Sequence, residues 1–153
     1  MKNISNNILI GIGNAARSDD GIGWKFLDMV KENLSKDWDI VYRYQLNVED
    51  AELVQKYKIV VFVDAFSEKL AKGFSLEECF PAAGIEYTTH SLNPCTVLAL
   101  CNNLYAQRPK AFVLKIQGYN WTLKEGISDR AKKNMDSGLH YFERKFLSTN
   151  VDS

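Results

Sequence analysis

The sequence predicts a three-layer α/β/α domain built on a twisted, mostly parallel sheet of about five strands. Two observations lead to this fold class. Short apolar segments alternate with amphipathic helical segments along the chain, and the segment KIVVFVDA, residues 58–65, is apolar enough to be buried on both faces. Strands that alternate with helices indicate crossovers covering both faces of a parallel sheet. No repeat, linker or low-complexity tract interrupts residues 1–153, so we expect one domain.

Each predicted element follows from its apolar pattern. The predicted strands are short apolar or alternating runs, and they cover residues 7–12, 39–46, 58–65, 74–80 and 111–116. In 39–46 the alternation extends to Tyr44 and Leu46, whereas the acidic centre of 74–80 indicates an edge strand. The predicted helices repeat apolar residues every three or four positions, and they cover residues 20–34, 49–57, a segment beginning at Pro94, and 129–147.

Charge and composition exclude several classes of function. Nineteen basic residues balance nineteen acidic residues, so no net field attracts nucleic acid or an anionic membrane. The polar start MKNISNN and the short apolar run after it do not form a signal peptide or a membrane span. The three cysteines lack CxxC spacing, which is typical of buried thiols in a reducing compartment. We therefore expect a cytoplasmic protein.

The stretch GIGNAARSDDGIG, residues 11–23, follows the first predicted strand and begins like a phosphate-binding turn. The dinucleotide fingerprint needs a third glycine where this chain has Ala16, and a P-loop needs a GK[ST] sequence that is absent. The acidic pair Asp19 and Asp20 would also repel a pyrophosphate. Nucleotide binding is therefore disfavoured.

Three acidic residues are expected near the carboxyl ends of the first and third strands, where α/β sheets bind ligands. Ser18, Asp19 or Asp20 could cap the first helix, or one acid could cap while the other points into the cleft. Asp64 ends the most apolar strand, where a carboxylate must be hydrogen-bonded, paired, bound to metal or exposed. It is either a structural residue of the next turn or a functional residue.

His90 lies in the loop TTHSLNP and could reach the same edge of the sheet, whereas His140 falls on the polar face of the last helix. A lone loop histidine is often without function, but with two acids it completes a set of oxygen and nitrogen ligands for a divalent metal. No GxSxG elbow is present. Cys95 could pair with His90, although a small packed residue in the first turn of a helix is the commoner role for such a cysteine.

GIGNAARSDDGIG closely resembles the signature GxGNxxxxD[DE]xxG of the hydrogenase maturation proteases. The similarity continues through Val63–Asp64–Ala65 and through His90 in THSL, with matching order, spacing and chain length. The members of this family are endopeptidases that remove the C-terminal extension from the large subunit of nickel–iron hydrogenases after nickel insertion.

The resemblance implies that Asp20, Asp64 and His90 are the catalytic and metal-binding residues. It also implies a divalent metal as the cofactor, namely nickel that is carried by the substrate. It implies the hydrogenase large-subunit precursor as the partner, and a water activated by the metal or by a carboxylate as the nucleophile. Gly11 and Gly13 are then expected to supply permissive dihedrals for the turn, with Asn14 bonding to backbone. Asp19 is expected to act as a cap or to support the ligands.

One segment departs from the family pattern. Many members have a glycine-rich DGGT-like loop after the second strand, where this chain has QLNVED, residues 45–50. The departure leaves the identity of the substrate open. Two other functions also remain possible at this stage: a non-catalytic checkpoint that binds nickel or the loaded subunit, and a metal-free structural or regulatory domain.

Overall fold

A computed structural model describes residues 5–81 and 92–147. Its five-stranded sheet has the order β2-β1-β3-β5-β4. Strands β1, β2, β3 and β5 are parallel, and β4 runs antiparallel to β5 at the edge. The strands are β1 (Asn7–Ile12), β2 (Trp38–Arg43), β3 (Ile59–Phe66), β4 (Phe74–Cys79) and β5 (Lys110–Gln117). The predicted fold class and the edge position of the acidic strand are confirmed.

Helices cover both faces of the sheet. They are α1 (Ile22–Val30), α2 (Glu49–Val54), α3 (Pro94–Tyr105) and α4 (Asp129–Phe142). Short 3₁₀ turns flank α1 at Ser18–Gly21 and Lys31–Asn33, and a π-helical turn, Glu143–Leu147, extends α4. Pro94 occupies the first turn of α3, whose N-cap Asn93 accepts a side-chain hydrogen bond from the Thr96 amide. Within residues 5–81 and 92–147, no helix is both long enough and apolar enough to span a bilayer.

The sheet separates two apolar layers because side chains alternate between its faces. In β1, Ile8 and Ile10 pack with α2 and α3, whereas Leu9 packs with α1 and α4. The central strand β3 is buried from Val60 to Val63, as its continuous apolar run predicts. Burial on both faces rigidly positions the carboxyl ends of β1 and β3.

In two elements, a residue that the apolar pattern assigns to the buried face is exposed in the structure. Strand β2 ends at Arg43, which pairs with the last residue of β1, so no partner strand remains for Tyr44. Tyr44 is 69% exposed, while Leu46 is buried and bridges to Leu92 across the top of the sheet. Leu104 has helical spacing in α3 but is 57% exposed.

Glycines shape the turn between β1 and α1 by two different means. Gly13 has φ +146°, and a Cβ there would lie 2.0 Å from the Asp20 carbonyl oxygen. Gly11 has no positive φ, so the expected permissive dihedral is wrong at that position. Instead, a Cβ on Gly11 would lie 2.6 Å from the Gly23 carbonyl oxygen. The Asn14 Oδ1 atom accepts from the Ala16 amide at 2.9 Å, which confirms its predicted role.

Gly23 gives the clearest test of this close approach. Its Cβ would lie 2.5 Å from the Ile12 carbonyl oxygen and 2.6 Å from that of Val63, so Gly23→Ala must push α1 away from the sheet. We expect a loss of about 2–4 kcal/mol in the free energy of unfolding, measured by urea denaturation. Gly138→Ala is the control, because a Cβ there makes ordinary contacts of 3.6 Å and favours helix. Equal effects of the two substitutions would contradict this explanation.

Candidate functional site

A cleft of about 520 Å³ opens at the carboxyl ends of β1 and β3. The chain passes outward from β1 to β2 and then returns across β1 to β3, so the two strands flank the point where the strand order reverses. Such a point leaves a crevice in α/β sheets. The side chains of Asp20, Asp64, Tyr44 and Asn93 line it. The structure therefore brings two of the predicted site residues together.

Asp64 occupies β3 in register with Ile12 of β1 and Lys115 of β5. Burial and then the charge of Asp20 raise the pKa of Asp64 to about 7, although a backbone hydrogen bond from Ala65 opposes the shift. A carboxyl group with this pKa exchanges a proton near neutral pH. Its environment is therefore suited to acid–base chemistry.

The backbone of the glycine turn positions Asp20. Its amide donates to the Arg17 carbonyl and its carbonyl accepts from the Asn14 amide, each at 3.0 Å. Burial raises the pKa of Asp20, while the Asn14 amide and the charge of Arg17 favour the ionised form. Asp20 and Asp64 thus form a pair of carboxyl groups that disfavour simultaneous ionisation.

Asp19 points away from this pair and is fully buried. Its carboxylate accepts hydrogen bonds from the amides of Tyr119, Asn120 and Ser128 at 2.7–2.9 Å, and from the Ser128 hydroxyl at 2.8 Å. Burial raises the pKa of Asp19, but these bonds together bring it below its usual value. The expected cap on its own helix is wrong. Asp19 instead fastens the β1–α1 turn to the segment between β5 and α4.

Ser18 strengthens the same connection. It is buried, has φ +50°, and donates from its hydroxyl to the Thr122 carbonyl at 2.8 Å. Its amide donates to the Lys124 carbonyl at 2.7 Å. Since Asp20 follows directly, these contacts hold the backbone that presents its carboxylate to the cleft.

His90, the third predicted ligand, lies outside the described residues. Among residues 5–81 and 92–147, no group of three or more His, Cys, Asp and Glu side chains could hold a metal ion. The described part of the site therefore contributes the Asp20 and Asp64 carboxylates alone to the predicted set. His140 is exposed on α4, as predicted. Cys95 is half-buried in the first turn of α3, and its possible pairing with His90 stays untested.

The segment that replaces the glycine-rich loop forms a firm wall of the cleft. Arg43 Nε contacts Asp50 Oδ1 at 2.9 Å, and the other Asp50 oxygen accepts from the Asn47 amide at 2.9 Å. Tyr44 rests against Trp24, with ring centroids 5.0 Å apart. Sequence reasoning missed Tyr44 as a cleft residue because the alternating pattern assigned it to a strand. Strand β2 ends at Arg43 because its partner β1 ends at Ile12, and the pattern within residues 39–46 does not show which residues pair.

Fold and cleft together define an α/β protein with a pair of interacting acids at the switch point of a mostly parallel sheet. No family model matches the chain, and no curated protein matches it in sequence. Many solved structures share its fold, however, and several of them are named as hydrogenase maturation proteases. The chain therefore has the fold of this family, as the sequence motifs indicated.

Three of these structures cover nearly the whole chain. The hydrogenase maturating endopeptidase HybD from E. coli is 14% identical, with 93% of this chain and 92% of that chain covered and a TM-score of 0.76. The [NiFe] hydrogenase maturation protease HycI from Thermococcus kodakarensis is 20% identical, with 94% of both chains covered and a TM-score of 0.70. The hydrogenase 2 maturation peptidase from Thaumarchaeota archaeon is 15% identical, with 94% and 100% covered and a TM-score of 0.68. At these identities the likeness shows the fold.

The role of Asp19 predicts a stability effect. In Asp19→Asn, an amide group replaces one carboxylate oxygen and faces the backbone donors, so buried hydrogen bonds are lost. We expect the free energy of unfolding at pH 7 to fall by about 2–4 kcal/mol. Asp129→Asn, at an exposed position next to Ser128, is the matched control and should change stability little. A similar small effect at both positions would show that Asp19 does not fasten the turn.

The raised pKa of Asp64 predicts a pH-dependent stability. The usual pKa of an aspartate is 3.8, and that of Asp64 in the folded state is about 7. At pH values between these two, the folded state binds more protons at Asp64 than the unfolded state. Stability contributed by this group therefore falls as the pH rises through that window. Asp64→Asn carries no charge, so its stability relative to the wild type should increase by about 2 kcal/mol from pH 5 to pH 8. Urea denaturation with a chelator present measures this difference, and parallel pH profiles would contradict the assigned shift.

Proposed function

We propose that this protein is a hydrogenase maturation endopeptidase that removes the C-terminal extension of a nickel-containing large-subunit precursor after nickel insertion. The observation that carries the proposal is the pairing of Asp20 and Asp64 in one cleft. The two acids come from separate elements, and the surrounding fold is shared with proteins named for this activity. The protein would act in the cytoplasm, as its three cysteines without CxxC spacing indicated.

The donor set suits a divalent cation. Asp20 and Asp64 each have a raised pKa, and the charge of Asp20 contributes to the shift at Asp64. A cation between them would relieve this repulsion, and carboxylate oxygen is a suitable ligand for several divalent metals. Asp20, Asp64 and His90 would hold the metal, and nickel would arrive as part of the substrate. When bound, such an ion would polarise the carbonyl of the peptide bond.

The protein's own carboxyl groups would handle the protons of hydrolysis. Ionised Asp64 can take a proton from the attacking water as the water oxygen bonds to the carbonyl carbon. The same proton can then pass to the departing amine nitrogen as the C–N bond breaks. In the metal-free protein, a pKa of about 7 keeps both protonation states of Asp64 populated near neutral pH. The negative charge of Asp20 disfavours ionisation of Asp64, so the pair of carboxyl groups tends to retain one proton.

The test combines the purified protein with a nickel-loaded precursor of the large subunit. Mass spectrometry should show loss of a C-terminal peptide with the wild type. Asp20→Ala, Asp64→Ala and His90→Ala should each slow the loss by roughly 100-fold or more, because they remove proton transfer or metal binding. Each should also weaken binding of a divalent metal without unfolding the protein.

Glu52→Ala, an exposed acid on α2, is the matched control and should cleave at the wild-type rate. Binding of the loaded precursor without any cleavage would instead favour the non-catalytic checkpoint. Cleavage at an undiminished rate by all three site variants would reject the proposed residues. If no metal binds and all three variants melt at lower temperature, the residues are structural.

A further inference from the structure

A second pocket lies beside the cleft, on the β5 side of Asp64, and we term it the Cys95 pocket. Its volume is about 360 Å³. Its apolar lining comes from Phe66, Cys79, Pro94, Cys95 and Val113, and its polar lining from Asp64, Glu77, Glu78, Asn93 and Lys115. We propose that the Cys95 pocket is a substrate subsite that receives a large apolar side chain next to the scissile bond. This inference rests on the proposed function, because it concerns the polypeptide that the cleft would bind.

The Cys95 pocket and the cleft are continuous. Both are lined by Asp64, Asn93 and Pro94, so Asp64 stands at the boundary between them. A peptide bond placed at the Asp64 carboxyl group therefore has a neighbouring side chain within reach of the Cys95 pocket. Strands β3 and β5 form its floor, since Asp64 and Lys115 are paired in register.

Most of the surface inside the Cys95 pocket is apolar. Val113 and Cys79 are buried at its base. The aromatic ring of Phe66, the pyrrolidine ring of Pro94 and the sulfur atom of Cys95 also line it. Burial and then the hydrogen bond with the Cys95 thiol raise the pKa of Cys79, so this sulfur remains a neutral, polarisable contact surface. Surfaces of this kind bind aliphatic, thioether or aromatic side chains.

Two of the charged groups that line the Cys95 pocket bind one another. Lys115 Nζ lies 3.1 Å from Glu77 Oε1, and the same ammonium stands 4.6 Å from the centroid of the Phe66 ring. Glu77 thus partly neutralises the Lys115 charge at the entrance, so Lys115 is not positioned to bind an anionic side chain inside the Cys95 pocket. An anionic substrate side chain would meet the carboxyl groups of Asp64, Glu77 and Glu78, and a cationic one would meet the Lys115 ammonium. An apolar side chain meets neither repulsion. The chemistry therefore selects an apolar occupant.

Alkylation of Cys95 tests occupancy without requiring cleavage. Cys95 is half-buried at the pocket, while Cys79 and Cys101 are buried, so iodoacetamide should label Cys95 first. In the wild type, saturating nickel-loaded precursor added together with iodoacetamide should slow the carbamidomethylation of Cys95 about tenfold during the first turnovers, as read by peptide mass spectrometry. Unchanged labelling with the precursor bound would overturn the subsite. Protection together with an uncleaved precursor in the wild type would support the subsite and reject the peptidase.

A filling substitution tests specificity. Cys95→Phe, or the smaller Cys95→Met if the first variant does not fold, should raise KM about tenfold for a precursor with a large apolar residue at the cleaved bond. Replacing that precursor residue by Ala should raise KM for the wild type but no longer for the filled variant. Leu104→Phe, on the exposed side of the same helix, is the matched control and should behave as the wild type. Retained discrimination in the filled variant, or no large apolar residue beside the cleaved bond, would overturn the proposal.

Discussion

The site depends on the close backbone contact between α1 and the ends of β1 and β3. A Cβ on Gly23 would lie within 2.6 Å of carbonyl oxygens from both strands, so hydrogen is the largest substituent that fits there. This contact allows the chain to leave β1, reverse through the Gly13 turn and place Asp20 above the same strand ends that carry Asp64. A helix placed further from the sheet would separate the two acids, and their electrostatic coupling would weaken with distance.

The adjacent residues Asp19 and Asp20 have identical side chains but different roles, because their environments differ. Asp19 is surrounded by amide and hydroxyl donors, which stabilise its charge and make it a structural anchor. Asp20 shares a cleft with another carboxyl group, so its charge affects proton binding at Asp64. A residue that resembles a ligand by position in a motif can therefore be part of the framework. The distinction is made by the donors around it.

The strands and helices could be predicted because burial on one or two faces leaves a period in the sequence. The meeting of Asp20 and Asp64 could also be predicted, since parallel strands bring their carboxyl ends to one edge. The anchoring role of Asp19 could not, because its partners are the amides of Tyr119, Asn120 and Ser128, which are present in any sequence. The exposure of Tyr44 was equally hidden, since it follows from the length of the neighbouring strand rather than from residue type.

The contacts of Asp19 also constrain when the cleft can be assembled. Its hydrogen bonds join positions 100 to 109 residues apart, between the first turn of the chain and the segment that leads into α4. During synthesis, the turn that carries Asp20 cannot be completed until that late segment has left the ribosome. The isolated N-terminal half would therefore present its acids on an unfastened turn. The geometry of the cleft is therefore completed only near the end of translation.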